Sequence, residues 1–441
     1  MRAVRARSVG AVSNALGLVQ VSLLVTRCGF SRTTDAYVVL FAFGQAVLAV
    51  WVQGIVYPAR LAVGRDAGGW RRTQLMAAGA ALLFQVVAAG ILVLQGFPMG
   101  TVLPLALPLV VAQSAGAASA VLGVRHACAG RPALMAGLAA PANALACVAL
   151  LASPQGAVAA QRMCWGLAVG NVTLLGLLTA RSLGGGDANA PTATSPPLRG
   201  RCHWLIANAT VGYAGGLLLQ TAAAELPRGT ATVYGIVTRV VGAAVGIGVN
   251  AALPALVHWS RDGAAEAHHL LGRVLRGAAP LLALLAAGAV LEPRYVRVAA
   301  AGAGWLALAA AAALVAQVTY AAGAFQAFRQ PALITLPATA ACVAVALREG
   351  AAWPLAVALI INATLTLLPL LAVNGWRAES RQAVALALVA ATAAATPVPS
   401  WLLLVAAVTA VFAQLHRPPR SRLDDGDGAR PALVPSGVAV G

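Results

Sequence analysis

Of the 30 basic residues in this 441-residue chain, only Arg239 falls deep inside an apolar run, away from its ends. A guanidinium at bilayer depth costs about 3 kcal/mol or more, so such a residue is read as functional. It also suits phosphate, which it can hold through two parallel N–H donors. Asp35 stands where another apolar run begins, near Arg27 and Arg32. Its carboxylate can favour a helix N-terminus capped by Thr33 or Thr34, or it can form a gating ion pair with either arginine. Gln20, Gln45, Gln53 and Asn250 lie within or near the ends of apolar runs. They can hydrogen-bond between helices or to a polar ligand. Arg239, Asp35, Gln20, Gln45, Gln53 and Asn250 thus form the expected substrate-binding set, and Arg27 and Arg32 an expected outer gate.

Bond-making chemistry has little to work with. The 12 acidic residues lie almost entirely in expected loops, and neither a Ser-His-Asp set nor a paired-carboxylate set is visible. The six cysteines form no CxxC, His268 and His269 are adjacent rather than spaced for one helical metal face, and Asp424, Asp425 and Asp427 lack calcium-loop spacing and a closing Glu. The chain is read as a non-enzyme with no cofactor and no metal.

The elements that position these residues must be membrane helices. Apolar residues make up 60% of the chain and charged residues 10%, against about a quarter charged in a soluble domain. A span needs about 20 apolar residues, and its backbone bonds must close internally. Fourteen spans are expected: 8–27, 35–57, 74–95, 102–122, 132–153, 161–181, 203–224, 231–255, 273–291, 298–323, 331–347, 353–373, 380–396 and 399–415. This is an all-α polytopic membrane protein. A six-helix lobe (1–183) precedes a Gly/Pro/Ser/Thr-rich cytoplasmic linker (184–202). A second six-helix lobe (203–373), a helix pair (374–416) and a disordered cytoplasmic tail (417–441) complete the expected order.

The net charge of +18 suggests nucleic acid, but the basic residues are all arginine and sort by side. With alternating orientation, 22 fall on one side and seven on the other. This is the positive-inside bias; it argues against nucleic acid and places both termini in the cytoplasm, here of a bacterial inner membrane. Arg2, Arg5 and Arg7 precede an apolar stretch without a convincing cleavage site, so that stretch is read as a retained first span.

The two lobes carry a repeat. Pro58-Ala59 is followed by Arg65-Asp66, and Pro254-Ala255 by Arg261-Asp262, at the same interval. Tyr37 and Tyr234 precede those prolines at nearly matching distances. Repeated lobes about a central site are a transporter architecture.

Thr34-Asp35-Ala36-Tyr37, after Gly29 and before a run ending at Tyr57-Pro58, resembles the "T-D-A-F" start and "F-V-P" end of the second helix in MurJ/MviN-type lipid II flippases. That family belongs to the multidrug/oligosaccharidyl-lipid/polysaccharide exporter (MOP) superfamily. Gly17 and Gly29 fall where family glycines fall. Gly246-Ile247-Gly248 with Leu253-Pro254-Ala255-Leu256, and Tyr320-Ala321-Ala322-Gly323 with Pro331, resemble later family motifs. The resemblance implies an alternating-access flippase with a cationic cavity. Its substrate would be a polyprenyl-pyrophosphate-linked saccharide, lipid II or a related peptidoglycan or polysaccharide precursor. Expected partners are that lipid-linked saccharide, the phospholipid bilayer and cell-envelope synthesis proteins, with the chain itself a monomer. Typical members carry arginines where this chain has Asn14, Gln20, and Leu48 or Gly44; a one-turn deletion brings Arg239 onto the arginine of the eighth helix, where Gly235 otherwise falls.

Three other readings remain. A drug or cation antiporter of the same superfamily would want buried acidic residues. A non-transporting scaffold derived from a flippase would explain the missing arginines. Gly64-Arg65-Asp66-Ala67-Gly68 with Arg71-Arg72 resembles the major-facilitator loop motif, but with Arg and Asp in the reverse order.

Overall fold

The computed structural model describes residues 2–56, 69–128, 131–184, 203–245, 268, 271–272, 274, 293–321 and 324–395. Regular structure among them is helical. In order, the helices are α1 (Arg2–Cys28), α2 (Arg32–Val47) continued by a π-helical segment (Leu48–Val56), α3 (Trp70–Leu94), α4 (Met99–Cys128), α5 (Pro132–Ala136), α6 (Ala140–Leu151) and α7 (Ala157–Gly184). Then follow α8 (His203–Glu225), α9 (Thr230–Val245), α10 (Pro293–Ala321), a 3-10 turn (Phe325–Phe328), α11 (Arg329–Glu349), α12 (Trp353–Val373) and α13 (Arg377–Ala395).

Among the described residues, nine helices are long and apolar enough to cross a membrane. They match the first six and the tenth to twelfth expected spans. α8, α9 and α13 stand at the seventh, eighth and thirteenth. The ninth falls almost wholly, and the fourteenth wholly, outside the described residues, as do both Pro…Arg-Asp repeats, the Gly246–Leu256 motifs and all of the linker except Gly184, which ends α7.

The chain reverses where α1 meets Gly29, whose φ of 65° lies in the left-handed region that glycine tolerates. Ser31 then caps α2: its backbone is extended, and its hydroxyl accepts the Thr34 N–H at 3.3 Å. The expected caps were Thr33 or Thr34. The helix starts one turn earlier, and the Thr34 hydroxyl turns back to donate to the Gly29 carbonyl at 2.9 Å.

α1 to α4, α6 and α7 pack around one core that includes Leu24, Tyr37, Leu92, Leu109, Leu150 and Met163. α10, α12 and α13 share another, with Leu308, Phe328, Leu367 and Ala390. α8, α11 and α12 meet around Leu219, Val343 and Leu355. Small residues let backbones approach, as in membrane helix pairs. A Cβ on Gly166 would lie 2.8 Å from the Leu145 carbonyl oxygen, and one on Gly170 would strike the Ala142 backbone. The Gly-xxx-Gly face that packs is therefore Gly166–Gly170. Gly242 and Gly246 have the same spacing, but a Cβ on Gly242 would meet nothing within 4 Å among the described residues, and Gly246 lies outside them. Leu75, Leu82, Leu83, Val86 and Leu94 of α3 are exposed, as lipid-facing residues must be. His268 Nε2 lies 2.9 Å from Glu379 Oε1, and its ring stacks on Trp376 at 4.8 Å.

Candidate functional site

Tyr37, Phe41 and Gln45 recur every fourth residue of α2 and so line one face. Arg239 of α9 lies over the upper part of that face. Its Cζ is 4.0 Å from the Phe41 ring centroid and 5.4 Å from that of Tyr37, a cation–π arrangement. Arg239 Nη2 donates to Tyr37 Oη at 3.2 Å and Nη1 to Gln20 Oε1 at 3.4 Å. Gln20, on α1, in turn donates Nε2 to Tyr37 Oη and to Met163 Sδ of α7, each at 2.9 Å. Gln20 and Tyr37 are fully buried, and Arg239 is partly exposed. Four helices thus converge on one guanidinium. Its hydrogen bonds are near the long limit for N–H···O, so the cation is oriented without being saturated. Such a group can accept an anion through its remaining donors.

Asp35 closes one end of the arrangement. Its Oδ1 accepts from the Thr232 N–H at 2.9 Å and from the Thr232 hydroxyl at 2.6 Å; its Oδ2 accepts from the Gly229 N–H at 3.0 Å. These amides belong to the first turn of α9, where N–H groups lack intrahelical partners and the helix dipole favours an anion. Asp35 therefore caps the helix that carries Arg239. α9 also comes very close to α2 there, since a Cβ on Gly235 would overlap the Val38 side chain. The gating ion pair is not what forms among the described residues. Arg27 Nη2 instead donates to the Leu151 carbonyl and Arg32 Nη1 to the Gly96 carbonyl, each at 3.4 Å. Arg32 also lies 5.5 Å from the Phe97 ring.

Further along α2, Gln45 Nε2 donates to Gln113 Oε1 of α4 at 3.4 Å. Gln85 of α3 donates Nε2 to the Leu40 carbonyl at 2.7 Å. Both glutamines crowd Gly44: a Cβ there would overlap Gln113 and stand 2.7 Å from Gln85 Nε2. Beyond them, a Cβ on Gly54 in the π-helical segment would come within 2.9 Å of Ala209 on α8. Gln53 lies on that segment, and Asn250 lies outside the described residues.

The structure therefore unites Arg239 with Gln20, links Asp35 to the same helix, and sets Gln45 in an amide pair lower on the same face. Sequence reasoning missed Phe41, Met163, Gln85 and Gln113. The spacing of Tyr37, Phe41 and Gln45 could have found the first of these. Asn14, at a first-helix arginine position of the resemblance, bonds locally to the Gly10 carbonyl at 2.9 Å. No group of three or more His, Cys, Asp or Glu able to hold a metal occurs among the described residues.

This helical order is shared with solved membrane-protein structures, in line with the motif resemblance. The chain is similar to the solved structure of the lipid II flippase MurJ in an inward closed conformation, with a TM-score of 0.56 and 12% identity over 91% of this chain and 95% of that one. It is also similar to the eukaryotic MATE transporter AtDTX14, with a TM-score of 0.52 and 14% identity over 88% of this chain and 97% of that one. At such identities the likeness is one of fold. No family model and no curated protein matches the sequence.

Proposed function

We propose that this multi-pass membrane protein is a flippase-like transporter that moves a polyprenyl-linked saccharide, a cell-envelope precursor, across the bacterial cytoplasmic membrane by alternating access. In this reading residues 1–183 and 203–373 are the moving lobes, and both termini face the cytoplasm. The carrying observation is the convergence of α1, α2, α7 and α9 on Arg239. A polar headgroup cannot cross hydrocarbon unaided; a cation inside the helix bundle gives its phosphate a partner midway. Asp35, bonded to Gly229 and Thr232, acts as the outer latch, and opening toward the outside requires it to release.

The test is transport in proteoliposomes. Arg239→Ala is expected to abolish flipping of a lipid-linked saccharide without lowering the yield of folded protein, and Arg239→Lys to retain part of it. An unaffected Arg239→Ala variant would favour the scaffold reading. The fold likeness to a MATE transporter favours a second reading, a drug or cation antiporter. That reading requires transport driven by an ion gradient and indifferent to polyprenyl-phosphate supply.

A further inference from the structure

The site's charge says more about its ligand. Among the described residues, Arg239 is the one ionised side chain in the cluster: Gln20, Tyr37, Phe41 and Met163 around it are neutral. The Asp35 carboxylate is engaged with the amides of α9. By sequence, Arg239 is also the one basic residue set more than about one turn from either end of an expected span. A phosphodiester brings one negative charge and a pyrophosphate diester two. With a single guanidinium, the second charge would be buried without a partner, which is strongly unfavourable. Below Arg239 on the same face of α2, roughly one turn past Phe41, the site continues in neutral amides. Gln45 pairs with Gln113, which occupies the space left by Gly44. Gln85 Oε1 is buried and has no hydrogen-bond partner among the described residues. Side-chain amides offer donors and acceptors together, the complement of sugar hydroxyls rather than of further phosphate.

We infer that the headgroup carries one phosphate, as a phosphodiester between a polyprenyl chain and a saccharide, with the phosphate on Arg239 and the sugar ring toward Gln45 and Gln113. This rests on the flippase reading and narrows its substrate from the diphosphate that the motif resemblance implies.

The experiment is equilibrium binding to the full-length chain in phosphatidylcholine nanodiscs. Three probes carry the same glucose: a short polyprenyl phosphate glucoside, the matching polyprenyl diphosphate glucoside, and a tail-free methyl phosphate diester of glucose. The monophosphate lipid is expected to bind at least about tenfold more tightly than the diphosphate, a difference of about 1.4 kcal/mol. In Arg239→Gln that preference should collapse, and in Arg239→Lys it should persist. Equal or tighter binding of the diphosphate overturns the inference. Wild-type preference retained in Arg239→Gln overturns the assignment to Arg239. Tail-free diester binding as tightly as the lipid would keep the one-phosphate site and overturn its lipid source. If neither lipid binds, the flippase reading falls together with the inference. If the monophosphate lipid is preferred but is not flipped in proteoliposomes, the inference stands and the flippase reading falls.

Discussion

Arg239 is held by a ring face and two long hydrogen bonds, and Tyr37 is the hub of that arrangement. The Tyr37 oxygen accepts from both Gln20 and Arg239. Tyr37→Phe removes one acceptor from two donors and leaves the buried Gln20 amide short of a partner, at a cost of about 1–3 kcal/mol. Thermal unfolding in detergent should show a lower midpoint, while membrane insertion is unchanged. Arg239 was legible in the sequence because a charge inside an apolar run is costly and therefore conspicuous. Phe41 and Met163 were not: in a membrane helix an aromatic ring or a thioether looks the same whether it faces lipid, core or ligand. Asp35 was legible as a helix-terminal carboxylate, but its target was not. The amides it caps lie 194 and 197 residues further along, a distance that no local pattern encodes.

At the level of elements, α9 is secured at its first turn by a carboxylate from α2. Asp35→Asn keeps the shape but places an amide donor against the N–H groups of Gly229 and Thr232. Loss of such a cap costs about 1–2 kcal/mol, and a cysteine placed beside Thr230 should become more reactive toward a membrane-impermeant maleimide. Packing of α6 against α7 gives a second expectation. Gly170→Leu must force the α7 backbone away from Ala142 and should destabilise by at least about 1–3 kcal/mol. Gly242→Leu, with nothing within 4 Å of its Cβ among the described residues, should be tolerated; unfolding in a denaturing detergent compares the two. The apolar runs gave the helix positions, because bilayer thickness dictates their length. Which Gly-xxx-Gly pair lies at a contact depends on the neighbouring helix, and Gly242 shows that the spacing alone cannot choose. Likewise the cap of α2 fell on Ser31 rather than on a threonine, since both have suitable side chains and the backbone decides.

Among the described residues, two of the contacts between the helix groups lie toward opposite ends of α2. Asp35 meets α9 toward one end of α2, and Gly54 meets Ala209 where the π-helical segment approaches its other end. Under the proposed alternating access, one contact opens while the other holds. Gly54→Trp cannot fit against Ala209 and should shift the population toward a form open at that end. Distances between spin labels on α3 and α11 should lengthen relative to the unsubstituted chain, and an unchanged distribution would count against two opposed gates. The helical membrane fold was legible through the order of apolar runs and the motifs around Asp35. The ligand was not, because the amides of Gln85 and Gln113 acquire meaning only once Gly44 brings them against α2.

The bond between Asp35 and the first turn of α9 also bears on how the protein is made. Translation delivers α2 to the membrane long before Gly229 and Thr232 leave the ribosome. α9, apolar but with 16 described residues shorter than the nine clear spans, then arrives with its leading amides unsatisfied. Asp35 supplies the missing partner from an element already inserted, so the early half of the chain acts as a template on which the later half completes its insertion.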